Sequence, residues 1–395
     1  MTAAATLLGP DAQTGLEMRA CVLREPGRMP AVETVHLDPP GPSEVLVRIA
    51  AAGVCHSDIH LVDGVLGDGR WPMVLGHEGA GIVQAVGPEV TGVRTGDHVV
   101  LCMVAACGTC DACRSGHRTL CEPVGRQSVT GHLPAGGSRL RGGDGAVLQH
   151  ALTVACFAQY AVVDAAAAIP IPHDLPLWQA ALLGCGAVTA FGAVSHAAAV
   201  RLGERVAVIG CGGVGLQLIT AARLAGASTI VAVDQRPEKL EHARRRGATH
   251  AVDASAGDAA AEVRALTGGG ADHAFEVVGT PATIRAAWDA IRPGGTAVVV
   301  GLAPAGVEVS LPAIEFLSEK SIMGSYYGSA DPTQTFPWLI ELVRTGRLEL
   351  ADMVSHLIEL DGVPAALDRL RRGEGDRSVI VIDPELAGIE ARGRA

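Results

Sequence analysis

Four cysteines in one short loop have the spacing of a metal-binding knot, C-x2-C-x2-C-x7-C. Steps of two residues let neighbouring thiolates converge on one tetrahedral ion, and Gly108 and Gly116 supply the tight turns that such a loop needs. Four sulfur ligands leave no open coordination position, so the pattern predicts a structural zinc site. An iron–sulfur cluster and four unrelated buried cysteines are the alternatives. The predicted ligands are Cys107, Cys110, Cys113 and Cys121.

Three further candidate ligands lie far apart in the sequence. Cys55 opens the run Cys-His-Ser-Asp-Ile-His, His77 stands in Gly-His-Glu-Gly, and Cys185 stands in Gly-Cys-Gly. Two thiolates and one imidazole would leave the fourth position of a zinc ion open to water or substrate, which is a catalytic arrangement. Each residue taken singly is equally compatible with a buried structural side chain.

A glycine-rich turn has the pattern of a dinucleotide-binding fold. A β-branched run ends at Gly210, and an amphipathic stretch, a second strand and the acid Asp234 follow. The glycines allow the backbone to approach a pyrophosphate, which the helix N-terminus stabilises. Asp234 can accept hydrogen bonds from ribose hydroxyls and repel a 2′-phosphate, which favours NAD. The predicted cofactor-binding residues here are Gly210, Gly212, Gly213, Val214, Gly215 and Asp234.

The elements that must position these residues fall into two patterns. Alternating strands and helices continue past Asp234 and predict a Rossmann-type, doubly wound parallel sheet. Before Cys185, short β-like runs separated by Gly and Pro are typical of an antiparallel, barrel-like domain. The predicted later segments are strand 273–278, helix 281–291, strand 296–300 and strand 321–325, and the earlier β-like runs are 45–51, 80–86 and 98–101.

Length and composition exclude several classes of protein. A chain of 395 residues suits two domains. Its composition, 48% hydrophobic and 18% charged, excludes a disordered chain, and a net charge of -11 argues against nucleic-acid or anionic-membrane partners. Two uncharged stretches, 145–163 and 175–200, are interrupted by Gln, His, Pro or Gly, so we do not expect them to span a membrane.

The first 17 residues have neither a basic start nor a sustained apolar run. They are therefore predicted to be a flexible tail and not a secretory signal. The protein is accordingly expected to be cytoplasmic, where ten cysteines do not indicate a disulfide framework.

Taken together, the motifs resemble those of the zinc-containing alcohol dehydrogenases in the medium-chain dehydrogenase/reductase superfamily. The run Gly-His-Glu-Gly-Ala-Gly at 76–81, the four-cysteine loop, Gly-Cys-Gly at 184–186 and the glycine turn at 210–215 occur in the family's order and at similar separations. The resemblance extends from about residue 18 to about residue 382, which is nearly the whole chain.

The resemblance implies a particular domain organisation. A GroES-like, β-rich catalytic domain would be formed by residues 1–186 and 326–395, and an NAD-binding Rossmann domain by residues 187–325. It also implies two zinc ions per chain and a homodimer or homotetramer, for which we expect an edge contact at residues 296–301.

The resemblance implies roles for the residues around the second metal site. Cys55, His77 and Cys185 match the ligands of a catalytic zinc. Asp58 matches the carboxylate that holds the zinc-bound histidine in its tautomer. Glu78 matches an acid beside the zinc that can serve as a transient ligand.

The resemblance also implies a proton relay and further cofactor contacts. Ser57 and His60 match the relay and lie three residues apart, so both would face the same way on a helical turn. His56 and Arg377 match residues that contact the cofactor pyrophosphate, and Lys239 matches one near the adenosine ribose.

The chemistry implied is reversible hydride transfer between an alcohol and NAD. Zinc lowers the pKa of a bound alcohol, Ser57 takes its proton, and the cofactor ribose passes that proton to His60. Hydride transfer to NAD then gives an aldehyde or ketone. The substrate pocket implied by family position consists of Ser57, Leu66, Met103, Phe157 and Leu302. Because all but Ser57 are apolar, a primary or hydrophobic alcohol, whether aliphatic, allylic or benzylic, is expected.

Two alternatives to this function stay open. One is a dehydrogenase of S-(hydroxymethyl)thiols, of the glutathione or mycothiol type, because the segment 121–160 resembles that class in length. Gly125 stands where its carboxylate-anchoring arginine is expected, and Arg126 and Arg139 are the nearby cations. The remote alternative is a non-catalytic nucleotide-binding protein, which would be expected to lack a zinc ligand or relay residue.

Overall fold

The computed structural model describes residues 15–66 and 71–389 of the chain. These residues divide into two compact units. Unit 1 holds the described residues up to Gly116, residues Leu120–Cys185 and the described residues from Glu349 onward, and unit 2 holds Gly186–Leu348 together with His117–Thr119.

The first part of unit 1 consists mostly of short strands. Its strands and helices are β1 Leu16–Leu23, β2 Ala31–Leu37, β3 Glu44–Val54, α1 His56–Val62, β4 Met73–Val74, β5 Glu78–Val86, β6 His98–Leu101, α2 Asp111–Arg114, α3 Glu122–Thr130, β7 Leu140–Gly142, β8 Val147–His150, β9 Tyr160–Asp164, β10 Ala168–Pro170 and α4 Leu177–Ala180.

Unit 2 alternates helices and strands. Its elements are α5 Gly186–Gly192, β11 Arg205–Ile209, α6 Gly213–Ala225, β12 Thr229–Asp234, α7 Pro237–Arg246, β13 His250–Asp253, α8 Ala259–Leu266, β14 Ala271–Glu276, α9 Pro281–Ala290, β15 Ile291–Val299, β16 Ser321–Gly324 and α10 Pro332–Arg344. The chain then returns to unit 1 with β17 Val354–Ile358, α11 Val363–Arg371, β18 Arg377–Val381 and α12 Pro384–Ala387.

Unit 1 contains a barrel and a sheet. Strands β1, β2, β7, β8 and β4 close into the barrel, and the sheet has the order β10-β6-β5-β3-β18-β17, with β9 also pairing with β3. The longest strand, β3, is a Val-, Ile- and Ala-rich run that is buried on both faces. It pairs with β5 on one side, and on the other its first half pairs with β9 and its last residues pair with β18. The strand before the predicted metal ligands is therefore held from both sides.

Unit 2 is the predicted doubly wound sheet. Its six strands run parallel in the order β13-β12-β11-β14-β15-β16. Val206 and Val208 of β11 belong to one buried cluster, and Ala207 and Ile209 belong to another. Because alternate side chains of a strand point to opposite faces, helices cover both faces of the sheet. The predicted fold class, a Rossmann-type sheet with a GroES-like β-rich domain, is confirmed.

Three details differ from the sequence-based expectations. Residues 1–14 of the expected tail lie outside the described residues, but Leu16 and Glu17 already belong to β1 and pair with Leu37 and His36. The second crossing between units lies after Leu348 and not near Ser325, because α10 packs with α5 in unit 2.

Residues 296–299, where an edge contact between subunits is expected, do not lie at an edge of the unit 2 sheet. Strand β15 lies between β14 and β16, so its backbone groups are paired on both sides. At this end of the sheet the edge strand is β16.

Among the described residues, no single helix is long and apolar enough to cross a membrane, although the bent pair Leu177–Leu183 and Gly186–Ala197 reaches that length and composition jointly.

One buried carboxylate links three adjacent strands of unit 2. Asp272 of β14 accepts hydrogen bonds from Nε of Arg205 on β11 at 2.9 Å and from Nε of Arg292 on β15 at 2.6 Å. Burial raises the pKa of Asp272, but the hydrogen bonds from both arginines outweigh burial and hold the pKa well below its ordinary value. Charged Asp272 therefore stabilises the folded chain above the unfolded-state pKa, near 3.9, and this contribution is lost as pH falls further.

We expect Asp272→Asn to lower the free energy of unfolding by about 2 kcal/mol at neutral pH, because two charge-assisted hydrogen bonds are lost. The difference from wild type should begin to shrink below about pH 4. Urea unfolding across this pH range measures both effects. The control is Asp289→Asn, which removes a helix-surface pair with Arg285 and should cost about 0.5 kcal/mol. Equal costs for the two variants would contradict the prediction.

Candidate functional site

Two adjacent strands of unit 1 bring the first pair of predicted zinc ligands together. Cys55 follows the end of β3 and caps the N-terminus of α1, and His77 immediately precedes β5. Gly53 of β3 is directly opposite Glu78 of β5 in the antiparallel register. That register places Cys55 and His77, which are distant in sequence, at the same end of the strand pair.

Asp58 fixes the orientation of both of these residues. Its carboxylate is completely buried. One oxygen lies 3.1 Å from Nδ1 of His77, and the other accepts a hydrogen bond from the backbone N–H of Cys55 at 3.0 Å. With Nδ1–H donating to Asp58, the lone pair of His77 is on Nε2, which is the form that binds a metal.

The cluster around His77 fits a zinc ion. Ligand atoms of Cys55, His77, Glu78 and Cys185 all lie within 4.8 Å of one another, and all four residues are buried. Nε2 of His77 is buried and has no hydrogen-bond partner among the described residues, which is costly unless a ligand binds it. Two sulfurs and one imidazole nitrogen are typical of a catalytic zinc site.

The neighbouring groups shift the pKa values of these three residues in different directions. The Cys185 thiol is the main cause that lowers the pKa of Cys55, and the same interaction raises the pKa of Cys185. Burial lowers the pKa of His77, but Asp58 outweighs it and raises that pKa. One thiolate is thus favoured next to an imidazole that Asp58 holds in place.

Glu78 has a second partner in the C-terminal strand. Its carboxylate forms an ion pair with the guanidinium of Arg377 on β18, and both side chains are buried. Burial raises the pKa of Glu78 to about 7, although Arg377 opposes this shift. Only 4% of the Arg377 side chain is exposed and it pairs with Glu78, and its contact with a cofactor pyrophosphate stays a prediction.

The predicted relay residues lie on α1. The hydroxyl oxygen of Ser57 is 3.8 Å from the sulfur of Cys55. Ser57 and His60 are half-buried, whereas His56 is exposed, and the two imidazole rings are 5.0 Å apart. Burial, followed by His56, lowers the pKa of His60, so its imidazole is neutral and able to accept a proton at neutral pH.

The four-cysteine loop forms a second metal cluster. The sulfurs of Cys107, Cys110, Cys113 and Cys121 lie within 4.8 Å of one another. Zinc–sulfur bonds are about 2.3 Å long, so this span suits one ion better than a cluster of several irons. Backbone N–H groups of Cys107 and Cys110 donate to the sulfurs of Cys121 and Cys107 at 3.3 Å. Hydrogen bonds from Thr109 and Cys110 lower the pKa of Cys107 to about 6, which favours the thiolate form that binds zinc.

The glycine turn of unit 2 has the backbone shape of an anion-binding site. Gly210 has φ +99°, and a Cβ there would lie 2.7 Å from Val278. A Cβ at Gly215 would overlap the carbonyl oxygen of Gly210, so only glycine permits the close packing of turn and helix. At Gly212, the N-cap of α6, a Cβ would meet nothing within 4 Å. The turn therefore presents open backbone at a helix N-terminus, where a phosphate is stabilised.

Asp234 stands at the end of β12, next to this turn. Its carboxylate accepts hydrogen bonds from the backbone N–H groups of Cys211 at 2.8 Å and Arg236 at 3.0 Å. These bonds fix the carboxylate beside the glycine turn. Gly213 and Val214 open α6, and Lys239 is half-buried on α7.

The predicted pocket residues have different environments. In unit 1, Leu66 is half-buried and Met103 is nearly buried. Phe157 is completely buried, and a Cβ at Gly76 would overlap its ring. Phe157 is thus packed in the core of unit 1, and its part in lining a substrate pocket stays a prediction. Leu302, in unit 2, is 40% exposed.

Sequence analysis missed the contribution of Gly53. A glycine near the end of a buried, Val-, Ile- and Ala-rich strand is the available signal, because such glycines mark a close approach by another group.

The fold and the two metal clusters define a zinc-binding, two-domain oxidoreductase with a dinucleotide-binding unit. Comparison with known proteins agrees. The family profile described as alcohol dehydrogenase GroES-like domain matches residues 41–173, and the profile for zinc-binding dehydrogenase matches residues 213–345. The chain belongs to the zinc-containing alcohol dehydrogenase family of the medium-chain dehydrogenase/reductase superfamily, as the sequence predicted.

Three relatives illustrate the range within the family. The chain is 37% identical to an S-(hydroxymethyl)glutathione dehydrogenase from Synechocystis sp., over 92% of this chain and 100% of the relative. It is 38% identical to an NDMA-dependent alcohol dehydrogenase from Amycolatopsis methanolica, over 93% of this chain and 99% of the relative. It superposes on the crystal structure of benzyl alcohol dehydrogenase from Acinetobacter calcoaceticus with a TM-score of 0.88 and 31% identity. The superposition covers 93% of this chain and 99% of that one.

The two metal clusters should differ in what they support. We expect Cys113→Ala to lose one zinc per chain and to lower the melting temperature and the yield of folded protein, because the loop has no other core. Cys185→Ser should also lose zinc and should abolish turnover while the protein remains folded. Elemental analysis, thermal unfolding and activity separate the variants. If both lose activity with equal stability, the division into structural and catalytic sites is wrong.

Proposed function

We propose that the protein is a zinc-dependent alcohol dehydrogenase that transfers hydride reversibly between a primary or hydrophobic alcohol and NAD. The observation that carries the proposal is the buried ligand set Cys55, His77 and Cys185, in which Nε2 of His77 has no hydrogen-bond partner among the described residues. Such a set provides three protein ligands and leaves a fourth position for substrate.

The bound groups and the protein divide the chemistry between them. Zinc supplies Lewis acidity that lowers the pKa of the alcohol, and NAD accepts the hydride. Ser57, beside Cys55, would receive the alcohol proton at its hydroxyl oxygen while it releases its own hydroxyl proton into the relay, and the neutral imidazole of His60 would accept a proton from the relay and pass it to solvent. Asp58 keeps Nε2 of His77 directed at the ligand cluster throughout.

Cofactor choice follows from the charge beside the glycine turn. The Asp234 carboxylate is held by two backbone N–H groups and retains lone pairs for ribose hydroxyls. Its negative charge opposes a 2′-phosphate, which supports NAD over the phosphorylated cofactor.

The alternative, oxidation of an S-(hydroxymethyl)thiol, is favoured by the similarity to the S-(hydroxymethyl)glutathione dehydrogenase of Synechocystis. A carrier such as glutathione needs a cation for its carboxylates. Arg139 is engaged elsewhere, because its guanidinium binds both oxygens of the buried Glu44, at 2.8 and 3.2 Å. Gly125 and Arg126 are exposed on α3, and Arg126 forms no ion pair with a described residue. Arg126 is thus the better candidate for that anchor.

The two functions are distinguished by following NADH formation with a panel of substrates. The panel contains apolar aliphatic, allylic and benzylic alcohols, and formaldehyde with and without glutathione or mycothiol. We expect turnover of the apolar alcohols without thiol, and no turnover with Cys185→Ser. Arg126→Ala should leave alcohol oxidation unchanged. Activity that requires a thiol and falls in Arg126→Ala would establish the alternative.

The relay makes a separate prediction about pH. Because burial lowers the pKa of His60, its imidazole is neutral and functional at pH 7 and is lost as an acceptor only at lower pH. His60→Ala should lower kcat for alcohol oxidation by about tenfold or more at neutral pH. The difference in kcat between His60→Ala and wild type should become smaller at about pH 9 to 10, where hydroxide is plentiful enough to accept the proton.

Steady-state kinetics from acid to alkaline pH test this relay. The control is His356→Ala, which replaces an exposed histidine of β17 and should leave the pH profile unchanged. A deficit of the same size at every pH would mean that His60 does not relay protons.

A further inference from the structure

The ion pair between Glu78 and Arg377 crosses over the central strand of the unit 1 sheet. Gly53 of β3 is opposite Glu78 of β5 on one side and Val379 of β18 on the other. Arg377 is two residues before Val379, so its side chain lies on the same face of the sheet. The two charged side chains therefore meet above Gly53.

Gly53 leaves the space that this ion pair occupies. A Cβ at Gly53 would lie 3.1 Å from a terminal guanidinium nitrogen of Arg377 and 3.3 Å from Cδ of Glu78, and would overlap a carboxylate oxygen of Glu78. The carboxylate is completely buried, so it has little freedom to retreat while keeping its partner.

Backbone conformation does not explain the glycine. Gly53 lies within β3 and is absent from the residues with positive φ. The nearest atoms to its Cβ position all belong to Glu78 and Arg377 side chains. By contrast, a Cβ at Gly81 would overlap the backbone carbonyl of Arg48. The requirement at position 53 is thus set by the ion pair and not by the strand.

Glu78 has a second possible position. One of its carboxylate oxygens lies within 4.8 Å of the ligand atoms of Cys55, His77 and Cys185, and Oε1 is buried without a hydrogen-bond partner among the described residues. A carboxylate that left Arg377 would be close enough to become a fourth protein ligand of a zinc ion held there.

We propose that Gly53 is a positioning residue for Glu78. By admitting the ion pair with Arg377 across β3, it keeps the Glu78 carboxylate out of the ligand set and so leaves one zinc position to the substrate. The inference rests on the proposed function, in which an alcohol takes that position.

The test is a set of variants assayed for zinc release to a chromogenic chelator. Gly53→Ala should push Glu78 toward the metal, so zinc should leave the catalytic site about tenfold more slowly than in wild type, and KM for alcohol should rise. Zinc release from the two sites is followed as separate kinetic phases. The phase that is missing from Cys185→Ser is the release of the catalytic zinc. Gly53→Ala in a Glu78→Ala background should release zinc at the rate of Glu78→Ala alone, because the clashing carboxylate is gone.

Gly92→Ala is the matched control, since a Cβ there meets nothing within 4 Å. Its rate of zinc release and its KM for alcohol should equal those of wild type. Unchanged or faster release from Gly53→Ala, or an effect that persists without Glu78, would overturn the proposal. If Gly53→Ala does not fold, the double variant decides. If the double variant folds and has the melting temperature of Glu78→Ala, the proposal is supported. If the double variant does not fold, the proposal is overturned. Zinc release and melting temperature do not depend on which substrate is oxidised, so failure here is separable from failure of the proposed function.

Discussion

The catalytic cluster depends on one buried carboxylate. Burying a charge costs several kcal/mol unless it is fully hydrogen-bonded, and Asp58 meets this condition with the N–H of Cys55 and Nδ1 of His77. These two bonds connect the end of β3, the first turn of α1 and the residue before β5. The same bonds select the His77 tautomer with a free Nε2. Folding of this corner of unit 1 and preparation of a metal ligand are therefore one event.

The unit 2 fold could be predicted from sequence because its signals are local. The strand, glycine turn, helix, strand and acid from Arg205 to Asp234 follow one another within the chain, and the two strands pair with each other. The glycine at position 215 is required by the carbonyl oxygen of Gly210 in the same turn, whereas the glycine at position 210 is required by its positive φ and by the side chain of Val278. The four-cysteine loop is similar, because its spacing alone brings the sulfurs together. The position of residues 296–299 inside the sheet was not predicted, because strand order depends on pairing between segments and not on any one segment.

Unit 1 was less predictable because its decisive contacts join distant parts of the chain. Composition identified short β-like runs, but the pairing of β3 with both β5 and β18 is a matter of register, which no single segment encodes. Resemblance to a family supplied the three distant ligands, whereas the residues alone gave only weak candidates. Burial is likewise invisible in the sequence. Phe157 is apolar, as the residues that line a hydrophobic pocket are, yet its ring packs against Gly76 in the core.

The ion pair between Glu78 and Arg377 shows how the chain's last strand contributes to the metal centre. Glu78 is adjacent to His77, and its charge is buried where no water can stabilise it. Its counter-charge comes from β18, almost 300 residues later in the chain, and reaches it only across a residue without a side chain. Without that guanidinium, the electrostatically favourable partner left for the carboxylate is the metal itself. The C-terminal strand therefore controls the carboxylate nearest the open zinc position, and the glycine of β3 is the steric condition for that control.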